Sequence, residues 1–177
     1  MATEPGSYDE ETLVKAKRAQ HIRKADRDSL WFLGDNVQII FDASHTEGKL
    51  LLAWQQMAPG ATPPLHEHAV EDEMFFVLEG SITYWSVGRE FTAGPGDAVL
   101  LPVGVPHTLQ ADPEAGVTYL LLTSPTGFEN FLREVSEPAE YDGPKRGWQM
   151  DEETARKLTA AAEKAQINII APPGVRP

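Results

Sequence analysis

His66-Glu67-His68, then Glu73, then the downstream run Pro102-Val103-Gly104-Val105-Pro106-His107 decide how this sequence is read, with Gly60, Gly80 and Gly96 around them. On a strand, residues two apart point to the same side, so His66 and His68 present both imidazoles to one space. At a rise of about 3.3 Å per residue their β-carbons stand roughly 6–7 Å apart, and two ring nitrogens can converge on one ion at about 2.0–2.1 Å. Glu73 is an odd step from His68, so Ala69-Val70-Glu71-Asp72 must bend and place Glu73 at the start of the next strand. His107 follows the Gly104-Val105-Pro106 turn and begins another strand beside them. Three imidazoles and one carboxylate are the ligand set of a borderline transition metal. Three of the five histidines fall at these positions, whereas His21 and His45 have no such partners and read as surface residues. Glu67, Glu71 and Asp72 compete for the carboxylate position and are read as a solvated acidic rim.

Outward from this cluster, Trp31 to about Thr123 consists of short apolar runs punctuated by glycine and proline, a spacing typical of all-β domains. The expected strands are Val37–Phe41, Lys49–Met57, Glu73–Leu78, Ile82–Val87, Ala98–Leu101, His107–Gln110 and Val117–Thr123. Gly88-Arg89 and Gly94-Pro95-Gly96-Asp97 read as turns between them, and Pro102 and Pro106 flank a further one. Runs such as Met74-Phe75-Phe76-Val77-Leu78 are apolar on both parities, which fits a sandwich or barrel whose outer surface is also covered, by a second subunit or by terminal helices. After Thr123 the pattern becomes helical. Phe128, Phe131, Leu132 and Val135 form one face of a short amphipathic helix. Asp151 can cap a second helix, roughly Glu152 to Ala165, and Ile167 to Ile170 reads as an edge strand.

A length of 177 residues is enough for a full core. The formal charge of -12 and pI of about 4.8 argue against a nucleic-acid surface, despite Lys15-Ala16-Lys17-Arg18 and the nearby Arg23, Lys24 and Arg27. With no cysteine, disulfides, thiolate ligands and cysteine nucleophiles are excluded. Residues 1 to about 12 read as a flexible tail with no apolar core of a signal peptide, and the longest apolar stretch, Val117 to Leu122, is too short to span a bilayer. The expectation is a cytoplasmic protein that engages neither membrane nor nucleic acid.

The motif Gly60-(five residues)-His66-Glu67-His68-(four)-Glu73-(six)-Gly80 resembles the first conserved motif of the cupin superfamily. Gly96-(five)-Pro102-Val103-Gly104-(two)-His107 is similar to the second, with Ala111 where an asparagine is usual. Trp31-Phe32-Leu33-Gly34, Phe75-Phe76-Val77-Leu78-Glu79-Gly80 and the helix from Gly127-Phe128 onward resemble single-domain, quercetinase-like cupins. The resemblance implies an all-β fold, a cupin conical β-barrel (double-stranded β-helix or jelly roll) with two C-terminal helices. The corresponding division is an N-terminal tail and arm over 1–29, a barrel over 30–124 and a helical segment over 125–177 packing on it.

It further implies one divalent transition metal (Fe, Mn, Ni, Co, Cu or Zn) held by His66, His68, Glu73 and His107, and a homodimer. The activity so implied is that of a dioxygenase resembling quercetin 2,3-dioxygenase, acting on a phenolic or enolisable small molecule. Glu73 is then both a ligand and the catalytic group that takes the substrate's proton. Trp54, Met57, Phe75, Tyr84, Leu101, Phe128, Phe131 and Leu132 are candidate pocket walls, and Trp148 can be lid, interface or surface. Two alternatives accompany this reading. One is a non-redox metal enzyme such as a polyketide cyclase, isomerase or lyase, with Glu73 or Tyr84 moving protons. The other is a binding module with a structural metal, which an accessible cavity at the site would count against.

Overall fold

The computed structural model describes residues 18–177, so the expected tail and the basic residues Lys15 and Lys17 lie outside the described residues. The strands are β1 (Asp28–Phe32), β2 (Asp35–Phe41), β3 (Leu51–Met57), β4 (Leu65–His68), β5 (Asp72–Gly80), β6 (Ile82–Ser86), β7 (Arg89–Ala93), β8 (Ala98–Leu101), β9 (His107–Ala111), β10 (Val117–Ser124), β11 (Glu137–Pro138) and β12 (Ile167–Ala171). Among the described residues three helices join them, α1 (Ala43–Thr46), α2 (Gly127–Val135) and α3 (Glu152–Lys164), besides a 3-10 turn at Lys24–Asp26. A seven-stranded sheet runs β11-β1-β2-β3-β10-β5-β8 and a five-stranded sheet runs β12-β4-β9-β6-β7. All ladders are antiparallel. The fold is thus a mostly-β, two-sheet architecture.

Strand parity builds the core. On β3, Leu51, Ala53 and Met57 point inward and are buried, while Leu52, Trp54 and Gln56 alternate to the outer face. On β5, Phe75 and Val77 are buried, whereas Phe76 is 42% and Leu78 36% exposed. The double-parity apolar run therefore has one face in the core and one that the described residues do not cover. At the end of β5, Gly80 opposes Val117, and a β-carbon on it would meet the Gly116 carbonyl oxygen at 2.2 Å. Only glycine permits that approach of two backbones.

The sequence-based strands recur with ends shifted by a few residues, but β1, β7 and the two-residue β11 were not among them. Arg89, expected in a turn, is the first residue of β7 and pairs with Ser86. That strand reads Arg-Glu-Phe-Thr-Ala and is mostly exposed, so it carries no alternation of apolar residues. The two C-terminal helices form where the 3.6-residue spacing places them. Phe128, Phe131, Leu132 and Val135 bury one face of α2, and Asp151 Oδ1 accepts the Thr154 N–H at 2.7 Å to cap α3. α2 packs on β1 and α3, and α3 packs on β12. Arg133 fastens α2 to its surroundings, donating to Glu129 (2.8 Å), Asp28 (2.9 Å) and Asp42 (3.3 Å). Among the described residues, no helix is long and apolar enough to cross a membrane.

Candidate metal centre

β4 and β9 are neighbours in the five-stranded sheet, with His66 directly opposite His107. Glu73 comes from β5 of the other sheet, so the cluster bridges the two layers. The Ala69-Val70 bend lets β5 begin at Asp72, which resolves the odd step between His68 and Glu73. One ligand atom from each of His66, His68, Glu73 and His107 lies within 4.8 Å of the others. His107 Nε2 stands 3.3 Å and His68 Nε2 3.9 Å from Glu73 Oε2.

Backbone carbonyls fix two of the rings. His66 Nδ1 lies 2.8 Å from the Pro64 carbonyl oxygen and His107 Nδ1 2.8 Å from that of Val105. A carbonyl can only accept, so each Nδ1 carries the proton and each Nε2 keeps its lone pair facing the cluster. Burial pushes the Glu73 carboxyl up, yet the adjacent His107 and the combined charge of the three imidazoles draw it down to about 2. Burial, with His107 next, lowers His66 to about 4 despite the opposing pull of Glu73. His68 is raised, because the carboxylates of Glu71 and Glu73 outweigh its burial. Buried His68 Nε2 and His107 Nε2 have no hydrogen-bond partner. Orphaned, inward-facing lone pairs beside an ionised carboxylate fit a divalent transition metal as donor set.

The acidic rim takes a different form from the expected one. Glu71 is 1% exposed, with Oε2 3.6 Å from His68 Nδ1 and without a hydrogen-bond partner. The bend between β4 and β5 turns it inward against Gly127, where a β-carbon would meet Glu71 Oε1 at 2.1 Å. Asp72 accepts the Val103 N–H at 3.0 Å, and Glu67 accepts from Asn168 at 3.1 Å. His45 is half-buried, paired with Asp42 in a capping box, whereas His21 is exposed.

A cavity of about 480 Å³ opens onto His66 and Glu73. Met57, Phe75, Phe128 and Phe131 line it. Trp54 stands instead on the outer face of β3, since the inward parity belongs to its neighbours. Tyr84, Leu101 and Leu132 are buried in the core and are not in the cavity wall. Burial and the charge of Glu73 raise the Tyr84 phenol well above its ordinary value, and its hydroxyl has no partner. Trp148 lines the cavity beside Gly34, from a segment where Lys145 N–H donates to the Gly34 carbonyl at 2.8 Å. Asp35 and Gln55 also line it, and sequence reasoning missed both. Asp35 sits in Leu33-Gly34-Asp35-Asn36, which looks like turn chemistry. The available signal was Gln55 on the otherwise apolar inward parity of Leu51, Ala53 and Met57.

Residues 53–123 match the model of the cupin domain family. A quercetin 2,3-dioxygenase of Bacillus subtilis (strain 168) is 29% identical over 108 residues, which are 60% of this chain and 32% of that protein. The chain therefore matches less than two thirds of that relative's length. Among solved structures, a mutant of the Bacillus subtilis oxalate decarboxylase OxdC superposes with a TM-score of 0.52 at 25% identity, over 63% of this chain and 31% of its own. An RmlC-like cupin from Shewanella frigidimarina gives a TM-score of 0.50 at 20% identity, over 60% of this chain and 92% of its own. A predicted oxalate decarboxylase from Thermotoga maritima gives 0.51 at 18%, over 60% and 99%. The last two likenesses are of fold alone.

Proposed function

Since this chain carries a cupin domain, we propose that it is a metal-dependent oxygenase of the quercetin 2,3-dioxygenase kind, acting on a phenolic or enolisable small molecule. The observation that carries this reading is the opening of a largely apolar cavity of about 480 Å³ onto His66 and Glu73. The similarity to a quercetin 2,3-dioxygenase supports the same reaction class. His66, His68, Glu73 and His107 would hold one divalent ion. Such an ion, when bound, supplies a Lewis acid and, if redox-active, a route for electrons between substrate and dioxygen.

The remaining work falls to side chains. Met57, Phe75, Phe128 and Phe131 offer an apolar wall that desolvates an aromatic ring. Glu73, the carboxylate that lines the cavity, would accept the substrate hydroxyl's proton at a carboxylate oxygen, leaving an electron-rich oxyanion. His66 and His107, held by the Pro64 and Val105 carbonyls, keep their Nε2 lone pairs for the ion and so would be donors to it rather than the proton acceptor. The cavity favours catalysis over a purely structural metal. A second copy of the chain would cover the outer strip of Phe76, Leu78 and Leu100, making a homodimer.

A non-redox lyase or isomerase is the second reading, favoured by the likeness to an oxalate decarboxylase. Proton movement there falls to Glu73, because Tyr84 is outside the cavity wall. An oxygen electrode separates the two. With quercetin and protein reconstituted in turn with Fe, Mn, Ni, Co, Cu and Zn, the oxygenase consumes oxygen with redox-active ions and loses this with His66→Ala. Full-rate conversion under anaerobic conditions, or equal activity with zinc, would reject the oxygenase.

A further inference from the structure

Outside the four-residue cluster, the cavity wall carries a second group of polar side chains. Thr62 and Lys145 are committed elsewhere: Thr62 Oγ1 donates to the Leu109 carbonyl at 2.7 Å, and Lys145 pairs with Glu137. Asp35 and Gln55 are different. They are 8% and 5% exposed, and both point inward from β2 and β3 among Val37, Ile39, Ala53 and Met57. Gln55 Nε2 donates to Asp35 Oδ2 at 3.2 Å, and the Ala58 N–H is the carboxyl's other partner. A carboxyl offers about four lone-pair positions, so these two hydrogen bonds leave acceptor capacity on a side chain that lines the cavity. Burial pushes Asp35 up to about 7 against both hydrogen bonds, so near neutral pH it can donate as well as accept.

The ladder places this pair relative to Glu73. Gln55 and Val77 both oppose Tyr119 on β10, while Leu51 and Glu73 both oppose Thr123. Gln55 is therefore two strands across the sheet from β5 and four residues along it from the level of Glu73. At about 4.8 Å per strand and about 3.3 Å per residue, on the order of 15 Å separates the two backbones before curvature. Side chains reaching in from both ends shorten that span to the length of a molecule with two or three fused or linked rings. A two-carbon acid reaches only one end.

We propose that Asp35 and Gln55 form a second recognition point, binding a hydroxyl at the far end of an elongated, polyhydroxylated aromatic substrate whose reacting hydroxyl lies at Glu73. This rests on the oxygenase reading for the Glu73 end. It goes beyond that reading in assigning a new binding site and a substrate shape.

The test is calorimetric binding to metal-free protein of two flavonols, quercetin and galangin, the latter lacking both hydroxyls of the pendant ring. Wild-type protein is expected to bind quercetin about tenfold or more tightly than galangin, because a site built for a hydroxyl rejects the analogue without it. Asp35→Asn and Gln55→Leu should each bring the ratio towards one, with galangin affinity within about twofold of wild type. Circular dichroism melts confirm that each variant is folded. The proposal is overturned if wild type binds neither flavonol, if it binds them equally, or if both folded variants keep the ratio. Discrimination without oxygen uptake upholds the recognition point and rejects the oxygenase. Oxygen uptake with equal affinities does the reverse.

Discussion

Glu71 is a carboxylate whose burial gives it work to do. It is 1% exposed, and its Oε2 lies 3.6 Å from His68 Nδ1, the ring nitrogen that does not face Glu73. A carboxylate at that place orients the imidazole and makes it more basic, so Glu71→Gln should weaken metal binding about 10–100-fold by competition titration with a chromogenic chelator. Unchanged affinity would show that His68 is oriented by packing alone. Asp35 gives a pH signature. Its folded-state value of about 7 against an ordinary 3.8 means that the folded chain holds the proton more tightly than the unfolded one. Its contribution is full below about pH 4 and is lost as pH rises to about 7. In urea unfolding of metal-free protein, Asp35→Asn should therefore gain stability relative to wild type between pH 5 and 8, on the order of 2–4 kcal/mol. A pH-independent difference would contradict this. That His66, His68, Glu73 and His107 come together was legible in the sequence because local spacing carries it. Glu71, Asp35 and Gln55 were not, because which carboxylates and amides turn inward depends on strand pairing and on α2 packing from far along the chain.

At the scale of elements, α2 connects the cavity to the candidate metal centre. Phe128 and Phe131 pack on Phe32 at ring separations of 6.1 and 5.7 Å, and Phe128 lies 5.6 Å from the His68 ring. The first residue of α2, Gly127, admits Glu71 beneath the helix. Gly127→Ala pits two effects against each other. Alanine favours a helix over glycine by up to about 1 kcal/mol, and less in the first turn. Overpacking against a buried carboxylate costs about 1–3 kcal/mol. The clash wins, so chemical denaturation should show net destabilisation, and a stabilised variant would mean that Glu71 has somewhere else to go. The helices were readable because four apolar side chains recur at 3.6-residue spacing. β7 was hidden, since an exposed hairpin strand needs no apolar alternation, and the wall position assigned to Trp54 belongs to Gln55 by a one-residue parity that only the ladder with β10 fixes.

At the scale of the whole molecule, the described residues leave Phe76, Leu78 and Leu100 exposed at 42%, 36% and 56% on β5 and the sheet-edge strand β8. Adjacent apolar side chains at a sheet edge favour covering by another surface. Light scattering after size exclusion should give a dimer for the wild type and a monomer for Phe76→Glu, with metal binding retained; a dimer in both would place the interface elsewhere. The cupin fold was legible because two spaced motifs and their glycines recur together, whereas the substrate was not, since the wall is assembled from both sheets and the segment carrying Trp148. His66, His68, Glu73 and His107 join those sheets as one candidate metal site. Elemental analysis of protein purified without an affinity chelate measures it directly. About one equivalent of a divalent transition metal per chain is expected, lost in His66→Ala and in Glu73→Ala while both variants remain folded. Wild-type protein that takes up no metal when offered each candidate ion, or folded variants that retain the full equivalent, would contradict it.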